Sequence, residues 1–126
     1  MNDSVMNNSP RLQTEGNIWL ATTRPNGKPH LIPIWFVWLH ERAYICTGES
    51  SVKVKNLRAN PRATIALEDG NQPVIAECLV SFVAQPFPAD VMAAFLHKYN
   101  WTIATDASYN ALIALQPEKW LTWSTA

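Results

Sequence analysis

NIWLATTRPNGKPHLIPIWFVWL, Asn17 to Leu39, consists of two apolar runs separated by RPNGKP. The first run, Asn17 to Thr23, is apolar and β-branched. Asn26-Gly27 suits the positive φ angles of a tight hairpin turn, so the stretch predicts two antiparallel strands. The returning strand, His30 to Leu39, is apolar on both alternations: Leu31, Trp35, Val37 and Leu39 on one face, Ile32, Ile34, Phe36 and Trp38 on the other. A half-buried strand alternates apolar with polar, so this pattern predicts cover on both faces. Pro33 cannot donate to a central ladder, which places it at an edge or a bulge. A ladder interrupted there leaves backbone groups free for something other than a strand, such as a ligand.

The chain on either side continues the pattern. His40-Glu41-Arg42 reads as a turn and Ala43 to Thr47 as a third strand. Ser50 to Asn60 alternates like a strand at Val52 and Val54. A serine N-cap, the three-residue spacing of Val54 and Leu57, and the Asn60-Pro61 stop favour a short helix. Arg62 to Glu68 and Pro73 to Gln85 read as strands joined by a polar turn at Asp69 to Gln72, the second long enough to predict a bulge midway. Phe87 to Tyr99 switches to helical period, with Val91, Met92, Phe95, Leu96 and Tyr99 on one face and Pro88 in the first turn. A polar loop around Trp101 follows, then a closing strand from Tyr109 to Gln116 and Lys119 to Ser124, interrupted at Pro117. Residues 1–10 are expected to be a mobile tail, with a helical lead-in at Arg11 to Glu15 and a single domain over 11–126. The fold class expected is mainly β: six or seven antiparallel strands in meander order, closing into a small barrel, with one or two short helices and one amphipathic helix near the C-terminus.

Composition narrows the partners. A chain of 126 residues suits one core. Ten acidic and ten basic residues balance, so no global field draws the protein to nucleic acid or anionic lipid. An apolar fraction of 48% with six tryptophans excludes disorder. Cys46 and Cys78 sit inside apolar runs without CxxC or metal spacing and read as reduced core residues. The N-terminus lacks the basic and apolar regions of a signal peptide, and Leu31 to Leu39 is far shorter than the ~20 residues that span a bilayer, so the expected location is the cytoplasm and no membrane is involved.

The chemistry converges on TGESSVKVKNLRANPR, Thr47 to Arg62, which holds four of the ten basic residues. There is no GxSxG, HExxH or Walker loop, and no catalytic side chain or metal set is assigned. His30, His40 and His97 lack partners at ligand spacing and read as structural or exposed. Hydroxyls and a glycine directly ahead of Lys53, Lys55 and Arg58, at a strand-to-helix junction, suit a phosphate monoester. The plainer reading of those lysines is a solvated helix face. The doubly apolar strand next to the site favours a ligand that carries a flat ring as well as a phosphate.

GKPHLIPIWFVW (Gly27 to Trp38), YICTG (Tyr44 to Gly48) and SVKVKNLRANPR (Ser51 to Arg62) together resemble the pyridoxamine 5′-phosphate oxidase-like, flavin-binding split-barrel superfamily, closest to its short flavin- and deazaflavin-dependent reductases. The resemblance covers about residues 11–124 in element order, with the specific motifs confined to 27–62. It implies a split-barrel homodimer with cofactor sites at the subunit interface. It implies further that Thr47, Ser51 and Lys53 hold the cofactor phosphate with Lys55 and Asn56 nearby, and that the backbone of Pro33, Ile34, Trp35 and Phe36 lies along the isoalloxazine. Trp120 and Trp123 become candidates to reach the partner's site, core or dimer packing being their other reading. The family commonly has an arginine before the lysine matched by Lys53; here that position is Val52, which removes one cation from the clamp.

The expected function is therefore an oxidoreductase that binds FMN, or the 5-deazaflavin coenzyme in its place, and moves a hydride to or from a small substrate. A non-catalytic binding or storage protein for flavin or haem is the alternative. A small nucleic-acid-binding barrel using Lys53, Lys55, Arg58 and Arg62 is disfavoured by the neutral overall charge.

Overall fold

The structure is a computed structural model and describes residues 10–121. Seven antiparallel strands form one curled half-barrel sheet in the order β2-β1-β5-β6-β7-β4-β3. They are β1 (Asn17–Thr23), β2 (Pro29–Trp35), β3 (Val37–Leu39), β4 (Arg42–Thr47), β5 (Arg62–Leu67), β6 (Ile75–Val83) and β7 (Ala111–Leu121). Three helices accompany them: α1 (residues 10–14), α2 (Val52–Ala59) and α3 (Ala89–Tyr99). The mainly β, seven-stranded split architecture expected from the sequence is the one observed, but the expected meander order is not: β1 pairs with β5 and β4 with β7. The two outer strands of the sheet, β2 and β3, are neighbours in sequence, so the sheet curls until a single residue, Phe36, joins its edges. The expectations that fall on residues 1–9, on Trp123 and on the end of the closing strand lie outside the described residues. Among the described residues no helix is long and apolar enough to cross a membrane.

The opening hairpin pairs Asn17 with Trp35 through Thr23 with Pro29. Its turn uses positive φ at Gly27 alone. Gly27 N–H bonds to Arg24 O at 2.8 Å, and Arg24 N–H bonds to Lys28 O at 2.9 Å. Pro25, locked at negative φ, excludes a turn with two left-handed residues and leaves Gly27 as the one that needs that region. The next turn does take positive φ twice, at His40 and Glu41.

Several expectations are corrected. The strand expected over His30 to Leu39 is broken at Phe36, and its first part is not covered on both faces by this chain. In β2, Leu31 is 60% exposed and Trp35 47% exposed, while Ile32 and Ile34 turn inward. The doubly covered strand is β4: Ile45 faces the barrel core with Leu20, Phe36, Leu57 and Ile113, while Tyr44 and Cys46 face α3 through Val91 and Phe95. The difference arises because α3 packs across β3, β4 and β7 and meets β2 only at its last residue, where Tyr99 stacks on Trp35. Leu96, expected on the buried face of α3, is exposed at the edge of that stripe.

The closing strand is not interrupted at Pro117. It runs unbroken from Ala111 to Leu121, with Pro117 opposite Cys78 where the register against β6 shifts between Glu77 and Cys78. A bulge is where a sheet tolerates a residue without an N–H; its extra residue, Glu118, lies in β7 and not in β6, where the strand's length predicts it. Pro33 sits in an edge strand, as its missing donor requires. Both cysteines are free and buried.

Candidate functional site

Where the curled sheet brings β2 and the end of β4 near one another without pairing them, a cavity of about 650 Å³ opens. Ile32, Pro33, Ile34 and Trp35 of β2 form one wall, Cys46 and Thr47 of β4 with Lys53 of α2 a second, and Tyr99, Trp101, Asp106 and Tyr109 a third.

The second wall follows from local geometry. β4 ends at the buried Thr47. Gly48 follows because a Cβ there would meet Ser108 O at 3.0 Å. The chain then turns, with Ser51 N–H bonding to Gly48 O at 3.0 Å, and enters α2 with Ser51 as N-cap. An N-cap serine normally accepts a bond from the first helical turn. Here the side chain makes no such bond, and its Oγ is buried without a partner. Desolvation pulls the Lys53 ammonium below the usual lysine range, and no carboxylate pairs with it among the described residues. A desolvated hydroxyl and a desolvated cation at the start of one helix, neither compensated, suit an anion.

The other expected site residues lie elsewhere. Lys55 and Val52 line a separate hollow with Arg24 and Pro25. Asn56 is buried and donates through Nδ2 to Thr22 Oγ1 at 3.0 Å, tying α2 to β1. The Phe36 side chain is in the core, and the backbone groups freed by the strand break are taken by the protein itself. Phe36 N–H donates to Tyr99 Oη at 3.0 Å, and Lys98 Nζ donates to Phe36 O at 2.8 Å. Trp120 packs edge-on against Trp38, with centroids 6.0 Å apart, and does not line this cavity.

Sequence reasoning missed the third wall. The Tyr99 ring stacks on Trp35 at 4.4 Å with planes 6° apart. Trp101 stands at 74° to Trp35 and at 89° to Tyr109. Its indole N–H donates to Asp106 Oδ2 at 3.0 Å. The signal was an aromatic at the last position of α3 followed two residues later by Trp101, but the surrounding polar residues read as loop. Cys46 also faces this wall. Burial first, and then the Asp106 charge, push its thiol up to about 12, so it stays protonated and non-nucleophilic.

The pyridoxamine 5′-phosphate oxidase family model matches residues 9–124. No curated protein matches the chain. Among solved structures, an F420 reductase is 23% identical with a TM-score of 0.71, the match covering 87% of this chain and 92% of that one. HutZ, the haem storage protein from Vibrio cholerae, is 18% identical with a TM-score of 0.76, covering 96% and 93%. An FAD-binding protein from Mesorhizobium loti is 13% identical with a TM-score of 0.70, covering 92% and 89%. At these identities the likeness is one of fold.

Proposed function

The chain belongs to the pyridoxamine 5′-phosphate oxidase family, and from that premise we propose that it binds FMN, or the 5-deazaflavin coenzyme in its place, in the cavity between β2 and the start of α2 and acts as an oxidoreductase on a small molecule. The observation that carries the reading is the uncompensated pair at the helix start: Ser51 Oγ, buried without a partner, and Lys53, desolvated without a carboxylate. Both fit a phosphate. Thr47 completes that end, and the edge of β2 from Pro33 to Trp35 offers the flat wall a ring needs. The bound ring would supply hydride transfer; the protein would supply the anchor, the orientation and a partly dry pocket. In this arrangement Lys55 and Asn56 support α2 and do not touch the phosphate, and no side chain is assigned as a proton donor.

The absorption spectrum and mass of whatever co-purifies, followed by titration with FMN and the deazaflavin, test the reading. Flavin uptake that weakens by about tenfold or more in Lys53→Met is expected, because charge-assisted bonds to a phosphate are the strong ones. No flavin-like spectrum and no uptake of either cofactor would sink it, and a haem spectrum would favour the storage alternative.

The partner in this reading is a second copy of the chain. Trp19, Leu31, Pro33 and Trp35 share the outer face of the β1–β2 hairpin, Trp19 directly opposite Pro33, and all are exposed. A second copy would cover that face and bring its own Trp120 or Trp123 toward the cavity mouth. Sedimentation of Leu31→Asp against the parent chain checks this: a dimer that the substitution splits is expected, and a parent chain that is monomeric at all concentrations refutes it.

A further inference from the structure

Among the described residues, only two charged side chains line the cavity, Lys53 and Asp106. They belong to different elements and face different chemistry. Lys53 accompanies the hydroxyls at the start of α2. Asp106 accompanies rings: it holds the Trp101 indole N–H at 3.0 Å through Oδ2 and the Ser108 N–H at 3.2 Å through Oδ1, and no cation pairs with it among the described residues. Each of its oxygens has a further acceptor position free. Around it the aromatic panels stand at steep angles to one another, Trp35 at 74° and Tyr109 at 89° to Trp101.

We infer that the part of the cavity walled by Trp35, Trp101, Tyr109 and Asp106 is a subsite for a small organic cation, a protonated or alkylated amine, which sets the charge class of the substrate. The inference rests on the reading of this cavity as the working site, with Lys53 assigned to the cofactor phosphate. A neutral guest would use the rings but offer the carboxylate no opposite charge, and an anion would be repelled by it. A cation uses both: the ring faces carry negative quadrupole density, worth roughly a factor of two to thirty in affinity per well-placed ring, and the carboxylate supplies the opposite charge. The exposed Tyr109, outside the hairpin face assigned to the second copy, leaves this corner open to solvent, so a guest can enter.

The test compares choline with 3,3-dimethylbutan-1-ol, which has the same shape without the charge. Binding is followed by tryptophan fluorescence and by ligand-observed NMR in the full chain as purified and again after saturation with FMN. Choline is expected to bind about tenfold more tightly than the alcohol. Asp106→Asn, which removes the charge and keeps one of the two acceptors, is expected to bring choline down to the level of the alcohol. Tyr109→Leu, at an exposed ring whose loss leaves the core intact, is expected to weaken choline severalfold. Equal affinity for the two probes, no binding of either, or choline binding indifferent to both variants overturns the inference. Failure of the cofactor reading is seen separately, as absence of FMN uptake, because choline discrimination is read in the protein as purified as well.

Discussion

Tyr99→Phe tests the link between the strand break and the cavity. The substitution keeps the ring, and with it the 4.4 Å stack on Trp35, and removes only the hydroxyl. That oxygen accepts from Phe36 N–H at 3.0 Å and donates to one of two carbonyls, Gly16 O at 2.7 Å or Phe36 O at 2.8 Å. Phe36 O keeps Lys98 Nζ as a donor after the change. Phe36 N–H keeps nothing, in a residue with no exposed surface. A buried donor left without a partner costs about 1–3 kcal/mol, and the lost donation about 1 kcal/mol more, part of which relaxation or an entering water recovers. The expected net loss is about 2 kcal/mol. For a chain of 126 residues, at about 4 °C per kcal/mol, the melting temperature falls by about 8 °C. Urea unfolding followed by circular dichroism, with Tm from a thermal scan, measures both. A loss below about 0.5 kcal/mol would refute the claim that Tyr99 closes the barrel at Phe36, because the N–H would then have found a partner without it.

Ser51→Ala is expected to leave stability within about 0.5 kcal/mol, because the N-cap side chain makes no cap bond to lose; in FMN titration the same variant loses about three- to tenfold in affinity. Asn56→Ala removes the buried bond to Thr22 and is expected to cost about 1–3 kcal/mol in urea unfolding without a direct effect on cofactor affinity, which separates the support of α2 from the anchor it carries. Burial lowers Lys98 from 10.5 to about 8, against a smaller opposing effect of Glu15. Below about pH 8 it is charged folded and unfolded and its desolvation costs stability; between about 8 and 10.5 the folded chain releases the proton first, so that cost is relieved as pH rises. The Tm difference between the parent chain and Lys98→Met is therefore expected to move in the parent's favour across that window, and a difference that stays flat counts against the assignment.

Elements whose signal is local were legible in the sequence. β1 has its expected bounds because a β-branched run ends at a Pro-Asn-Gly turn, and α2 follows from Ser51, Val54, Leu57 and Asn60. What escaped depends on distant packing. Composition cannot say that α3 covers β4 and leaves the outer face of β2 open, so the apolar alternation of residues 31–35 was read as two covered faces. Pro117 signalled a break on local grounds, but the bulge opposite Cys78 absorbs it. That Thr47 and Lys53 lie near one another on the cavity wall was legible because they are close in sequence. The aromatic wall was not, because Trp35 and Tyr99 meet only once the sheet has curled.

The structure sets two desolvated lysines side by side for comparison. Lys98 has partners within the chain: its ammonium donates to Phe36 O at 2.8 Å and lies 3.9 Å from the centroid of the Phe36 ring. Lys53 has no such carbonyl, ring or carboxylate among the described residues, although burial disfavours its charge as well. A fold that supplies partners for one desolvated cation and none for the other, in the first turn of α2 just past the β4–α2 junction, supports the proposal that the second meets a group outside the chain. The hydroxyl of Ser51, buried and unpartnered two residues before Lys53, repeats the pattern with a neutral donor. An anion with several acceptor oxygens answers both groups at once and matches the cation's charge as a water does not, which is the ground on which we propose a phosphate as the occupant.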